Sequence, residues 1–99
     1  MIIVAHKDSY VRPHKHSPER SESYHVIEGE LEVTVYDDKG RVQQLFWLNE
    51  KVPFYRLRGG FYHEPRPVSE WVIYHEVFTG PFDKDKDVIY ADWAKAETA

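Results

Sequence analysis

From Leu31 to Val35 the chain alternates apolar and polar positions, with Leu31, Val33 and Val35 set against Glu32 and Thr34. This is the period of a strand buried on one face. Other short apolar or alternating runs are each cut off by a turn signal, and no stretch before residue 88 holds a helical period for three turns. Residues 2–5 and 9–12 predict an opening strand pair or one bent strand. The run from Tyr24 to Tyr36 breaks at Glu28-Gly29-Glu30, where the glycine supplies a positive φ for a turn. Asp37-Asp38-Lys39-Gly40 predicts a hairpin turn, with Arg41 to Leu48 as the returning strand. Asn49-Glu50 predicts a further turn, Val52 to Leu57 a strand, and Gly59-Gly60 a tight corner into Phe61-Tyr62-His63. Pro65 and Pro67 lack an amide donor and predict a loop there, not a central strand. Trp71 to Phe78 predicts a strand stopped by Gly80-Pro81, Lys84 to Asp87 a solvated turn, and Val88 to Lys95 a closing segment with Trp93 docked on the barrel.

Roughly seven short strands with frequent turns predict an all-β jelly roll or small barrel. No repeat and no dividing linker interrupts the chain. The expected organisation is therefore one domain over residues 1–99, with a core at about 2–82 and a closing segment at 83–99. Composition strengthens the β reading, because seven Tyr, five Phe and three Trp in 99 residues favour sheet over helix.

The chain has no cysteine, which excludes disulfides, thiolate metal sites and cysteine nucleophiles, so any metal is held by nitrogen and oxygen. A net charge of −4 speaks against a phosphate-backbone binder, and no nucleic-acid partner is expected. No apolar run approaches the ~20 residues of a membrane span. The start Met1-Ile2-Ile3-Val4-Ala5-His6 has no basic leader region, so a cytoplasmic location without a membrane partner is expected.

The informative constellation is Pro13-His14-Lys15-His16, then Glu22, then His63 behind the Gly59-Gly60 corner. Positions two apart on a strand project to one face, so His14 and His16 place two imidazoles side by side. Glu22 opens a new strand and offers a carboxylate oxygen, while His63 arrives from a separate strand. Three neutral imidazoles and a carboxylate suit a divalent ion such as iron, zinc, manganese or nickel, and leave positions open to water or substrate.

The spacing of His14, His16, Glu22 and Gly29 resembles the first cupin motif, and Gly60-Phe61-Tyr62-His63 resembles the second, without the proline that usually precedes its glycine. The likeness extends to Tyr10-Val11-Arg12-Pro13, the hairpin Val35 to Val42, Glu76 to Asp83 and Ala91-Asp92-Trp93-Ala94, which look like the WbuC-type cupin fold metalloproteins. The resemblance implies a small cupin fold, metal ligation by His14, His16, Glu22 and His63, and a link to surface-polysaccharide metabolism. Members often carry a further segment ahead of the core strands, whereas this chain opens almost on the first of them.

Glu76 also matches a position of that family. It shares a strand face with Val72, Tyr74 and Phe78, while His75 shares the other with Trp71, Ile73 and Val77. Glu76 is a candidate substrate or supporting contact, or else a buried carboxylate paired with a base such as Arg12. Tyr24, on the parity of Glu22, and Tyr62, next to His63, are candidate hydroxyl donors. His25 falls on the face opposite Glu22 and is expected at the surface, and His6 has no partner in view. Arg12, Arg56 and Arg58 are candidate carboxylate clamps or solvated edge charges.

The expected protein binds one divalent metal and a small polar ligand resembling a sugar or carboxylate. Glu76, Tyr62 and Tyr24 are its candidate catalytic groups in a sugar isomerase, epimerase or oxygenase, and the alternative is a binding module without turnover. Trp71-Val72-Ile73-Tyr74 and Val77-Phe78 are apolar on both faces, which predicts a homodimer.

Overall fold

The structure, a computed structural model, describes residues 1–18, 20–79 and 88–94. The expected Gly80-Pro81 stop and Lys84–Asp87 turn lie outside them. Among the described residues nine strands follow in chain order: β1 (Ile2–His6), β2 (His14–Lys15), β3 (Glu22–Glu28), β4 (Leu31–Tyr36), β5 (Val42–Leu48), β6 (Phe54–Leu57), β7 (Tyr62–Pro67), β8 (Trp71–Phe78) and β9 (Ile89–Tyr90). They form two antiparallel sheets, one in the order β1-β8-β3-β6 and the other β5-β4-β7-β2-β9. This is the all-β jelly roll that the alternating pattern predicts.

The two sheets bury their apolar faces against each other. Tyr24 and Val26 of β3, Leu31 and Val33 of β4, Leu48 of β5, and Val72 and Tyr74 of β8 make the central cluster. The chain crosses from the first sheet to the second at Gly29, whose φ is +92°, and a Cβ there would sit 2.6 Å from the carbonyl oxygen of Trp71. The predicted hairpin turn closes through Asp37, whose Oδ1 accepts from the amides of Lys39 and Arg41, both at 2.9 Å.

Two expectations need correction. Residues 9–12 form no strand, and β1 pairs with β8 instead, from Ile2↔His75 to His6↔Trp71. Pro65 and Pro67 do not mark a loop: both lie in β7, paired with Val33 and Leu31 of β4. The sheet tolerates them because a proline nitrogen must face away from the strand it pairs with. On that other side β2 reaches only as far as the His14↔His63 pair, so no donor is missed. Their rings instead fill the buried face that His63 also occupies. The closing segment lies on the second sheet. Its β9 pairs with β2, and Trp93 packs on Tyr36 and Tyr62 at ring separations of 4.9 and 5.6 Å, on the second sheet as docking on the barrel predicts.

Candidate metal centre

The antiparallel pair of β2 and β7 sets His14 directly opposite His63. Two residues on, His16 brings its ring into the same group, and Glu22 reaches it from the first residue of β3 in the facing sheet. Ring centroids lie 4.5 Å apart for His14 and His63, and 5.3 Å apart for both His14–His16 and His16–His63. One nitrogen from each ring falls within 4.8 Å of the others. Glu22 Oε1 is 3.6 Å from His16 Nε2 and directly contacts His63 Nε2. His63, Glu22 and His16 are all buried, at 0, 1 and 4% exposure, so ordinary solvent does not neutralise this cluster.

Two backbone carbonyls set the direction of the rings. Nδ1 of His14 lies 2.8 Å from the carbonyl oxygen of Arg12, and Nδ1 of His63 lies 3.1 Å from that of Phe61. A carbonyl only accepts, so each Nδ1 carries the proton and each Nε2 is left with a lone pair. For His63 that lone pair meets a buried carboxylate oxygen, and the contact requires positive charge: a second proton on the ring or a cation at the site. Burial, followed by the charge of His63, pushes His14 down to about 4, so it is neutral at pH 7. Burial acts to raise Glu22, but hydrogen bonding from His16 and His63 outweighs it and holds the carboxyl well below the usual range. Three inward-facing nitrogens and one ionised carboxylate, with carbonyls behind two of the rings, fit a divalent cation.

Behind Glu22 stand two further groups. Tyr24 donates its hydroxyl to Glu22 Oε1 at 3.1 Å, and burial keeps that hydroxyl protonated. Glu76 lies across β3 from Tyr24 and faces inward. Burial, then hydrogen bonding to Glu22 and the charge of Glu22, pushes it up to about 9, so it is a neutral acid at pH 7. Arg12 does not pair with it: the guanidinium donates to the carbonyl of Ala91 at 2.8 Å and lies 5.3 Å from the Tyr90 ring.

These shifts give the metal-free chain a definite pH profile. His14, depressed from 6.5 to about 4, makes stability rise with pH between those values. Glu76, raised from 4.5 to about 9, makes stability fall with rising pH between 4.5 and 9, because only the folded state keeps its proton. The two slopes oppose each other up to pH 6.5. Above it Glu76 acts alone, at up to about 1.4 kcal/mol per pH unit for one proton. Urea melts of metal-free protein are expected to show stability declining from pH 6.5 to 9, and Glu76→Gln is expected to remove the decline. A flat wild-type profile would contradict the protonated Glu76.

Sequence reading brings His14, His16, Glu22, His63, Tyr24 and Glu76 to this centre, and the structure assembles all six. Tyr62 is a different case: one residue from His63, it projects to the outer face, where its ring meets Lys15 at 4.6 Å and Trp93. His25 is exposed, as parity predicts. His6 has partners that the sequence did not suggest, Trp71 at 4.7 Å and Asp8 at 3.5 Å. Arg56 donates to Ser23 Oγ at 3.4 Å, and with Arg58 it lines a separate cleft of about 350 Å³ beside β5 and β6. The sequence reading missed the mouth of the centre, a cleft of about 410 Å³ where His14 and His16 meet Arg20, Phe78 and Tyr90. Arg20 reads as a solvated loop charge, yet it is 6% exposed and lies 5.4 Å from the Phe78 ring.

A family model described as a domain of unknown function (DUF6016) matches residues 1–48. A search of curated proteins finds no match. Among solved structures, the capsular polysaccharide assembling protein CapF from Staphylococcus aureus is similar at a TM-score of 0.78 and 11% identity, over 90% of this chain and 25% of CapF. NovW, a 4-keto-6-deoxy sugar epimerase from Streptomyces spheroides, gives 0.75 and 13%, over 91% of this chain and 49% of its own. Oxalate decarboxylase from Bacillus subtilis gives 0.73 and 21%, over 90% and 22%. The chain spans about half or less of each of these proteins. They are cupin-fold proteins, and the two antiparallel sheets described above have the same fold. The class is thus a cupin-type jelly roll with a buried group of three histidines that could hold a metal.

Proposed function

We propose that this chain binds one divalent metal ion, such as iron, zinc, manganese or nickel, through His14, His16, Glu22 and His63, and holds a small oxygen-bearing ligand beside it. The observation that carries the reading is the contact of a carbonyl-locked imidazole, His63, with the ionised Glu22 in a fully buried setting. A bound ion supplies Lewis acidity toward a ligand oxygen. The chain's own residues supply the rest: Tyr24 orients Glu22, and neutral Glu76 holds a proton next to that carboxylate. A sugar isomerase or epimerase role in surface-polysaccharide chemistry draws support from the WbuC-type motifs and from what CapF and NovW are.

A module that binds without turnover is the second reading. It is favoured by the absence of any carboxylate from the described lining of the cleft. Glu76→Gln separates the two, because it keeps the shape and the neutral hydrogen bond but removes the transferable proton. Metal content is expected to stay at one per chain while conversion of a cognate keto sugar, followed by NMR, falls at least a hundredfold. Unchanged conversion would exclude Glu76 as the proton carrier.

No helix among the described residues is long and apolar enough to cross a membrane, and a cytoplasmic location remains the proposal from the sequence. We also propose a homodimer through the outer face of the four-stranded sheet. There Ile2, Val4, Ile27, Phe54, Trp71 and Val77 are each between 47 and 61% exposed. Strands of 5, 8, 7 and 4 residues at ~3.4 Å per residue, set ~4.8 Å apart, present roughly 400 Å². That is as large as the biggest apolar patch a typical monomer leaves uncovered, and one flat sheet face is complementary to a second copy of itself. Light scattering is expected to give twice the chain mass, and Trp71→Glu one chain mass. A monomeric wild type at micromolar concentration would refute the pairing.

A further inference from the structure

We propose that the cleft between β5 and β6 is a second ligand site, for a sugar that carries a phosphate group. It is separate from the cleft over the histidines, and it goes beyond the metal-binding reading without requiring it.

The site lies where the sandwich opens. β5 and β6 stand at the ends of their sheets' strand orders, one in each sheet. Residues opposite each other on paired strands share a face. Leu31↔Leu48 and Val33↔Phe46 are apolar pairs on the core face, and the next pair, Val35↔Gln44, puts a carboxamide in line with them. Between Val35 and Tyr36 the register slips, so Gln43 is the extra residue of a β-bulge. A bulge re-aims side chains that plain alternation would send to opposite faces, and Gln43 and Gln44 both line the cleft. Across the seam Tyr55 and Leu57 share the inward face of β6 with Tyr24 and Glu22 of β3. The Tyr55 ring is held against Phe46 at a ring separation of 3.8 Å.

The lining supplies the chemistry of both ends of such a ligand. Val35 and Leu57 are buried and form the floor, with the rings of Tyr55 and Phe61 beside them. These suit the carbon face of a sugar ring, while the two carboxamides and the Tyr55 hydroxyl suit its hydroxyl groups. Arg56 and Arg58 bring two guanidiniums to the rim, and Arg56 also donates to Ser23 Oγ at 3.4 Å. A phosphomonoester carries about 1.5 to 2 negative charges at pH 7 and three acceptor oxygens, so it engages two planar forks where a carboxylate fills one. At about 350 Å³ the space suits one small molecule. The floor backs onto the metal centre, because Val35 pairs with His63 and Leu57 with Glu22. A phosphosugar held here rests against strands that carry two of the proposed metal ligands.

Calorimetry of the full chain, first with a chelator present and then after metal loading, tests this with glucose 6-phosphate, glucose and inorganic phosphate. A charge-assisted hydrogen bond is worth roughly tenfold or more in affinity. Glucose 6-phosphate is expected to bind at least tenfold more tightly than glucose, and more tightly than inorganic phosphate, with or without metal. Arg58→Gln is expected to weaken glucose 6-phosphate at least tenfold. Gln44→Leu, which continues the apolar alternation of β5, is expected to weaken glucose 6-phosphate and leave inorganic phosphate unchanged. Equal binding of glucose and glucose 6-phosphate, inorganic phosphate as tight as glucose 6-phosphate, or an unchanged affinity in Arg58→Gln would each overturn the inference. Binding that needs the metal and ignores Arg58→Gln would place the phosphosugar at the histidines, overturning the second site and leaving the metal reading intact. A chain that takes up no metal yet binds glucose 6-phosphate through Arg58 would support the second site and overturn the metal reading alone.

Discussion

Replacing His63 with alanine is expected to lower bound metal from one ion per chain to almost none, whereas His25→Ala keeps the full complement. His63 is the most buried of the three rings, is held by the Phe61 carbonyl, and touches both the other imidazoles and Glu22. Losing a group that merely supports a ligand costs about 10- to 100-fold in affinity, and losing a ligand itself costs more. The effect extends to stability. At a thousandfold excess over Kd, a bound ion stabilises the native state by about 4 kcal/mol, worth on the order of 20 °C in Tm for a chain of this size. A chelator is therefore expected to lower the Tm of the wild type and of His25→Ala sharply, and to leave the already lowered Tm of His63→Ala unmoved. His25 tests whether any histidine will serve: it lies on the exposed outer face of β3, so a loss of metal there would contradict the assignment.

Gly59→Ala is expected to be severely damaging. A Cβ on Gly59 would press directly into the carbonyl oxygens of Ser17 and Arg20, two backbone atoms with no flexible side chain to yield. Those carbonyls belong to the loop that joins His16 to Glu22, and the same loop is tied to the corner by the Gly60 amide donating to His16 at 3.0 Å. Relief of the clash moves the loop and separates two of the four candidate ligands. Overpacking of this kind costs about 3 kcal/mol. Loss of more than tenfold in metal affinity should accompany it. Gly60→Ala meets nothing closer than 3.7 Å, at Pro18, and pays only for its φ of +90°, about 1–2 kcal/mol. Denaturation with metal titration of the two variants is expected to rank Gly59→Ala well below Gly60→Ala. The reverse ranking would show that the glycine three residues before His63 matters for the turn alone.

That contrast also marks what the sequence could convey. Alternation at Leu31–Val35 and the turn at Asp37–Gly40 are local, and both appear in the structure where the pattern places them. The histidine constellation was legible because parity on a strand is a local property and the motif spacing fixes which strands meet. Parity sent His25 outward correctly; it set Glu76 on one face with Val72 and Tyr74, and the structure turns that face inward. It also predicts that Tyr62, adjacent to His63, faces away from it, so proximity in sequence was the wrong guide for that residue. The long-range features were not legible. That Pro65 and Pro67 can lie within β7 depends on how far β2 extends beside them. That β1 pairs with β8 depends on a contact 65 or more residues away in the chain. Arg20 looks like any loop charge until the loop folds over Phe78, and Gly59 looks like half of a turn until the facing loop is in place.

The central claim is that His14, His16, Glu22 and His63 hold one metal ion. It is tested most directly by anomalous diffraction at the metal edge on crystals of protein purified without chelators or nickel resin. The account predicts a single strong peak per chain, bounded by the inward nitrogens of the three histidines and the Glu22 carboxylate. No peak in that position after soaking with iron, zinc, manganese and nickel in turn, or a peak on His25 and His75 instead, would contradict it.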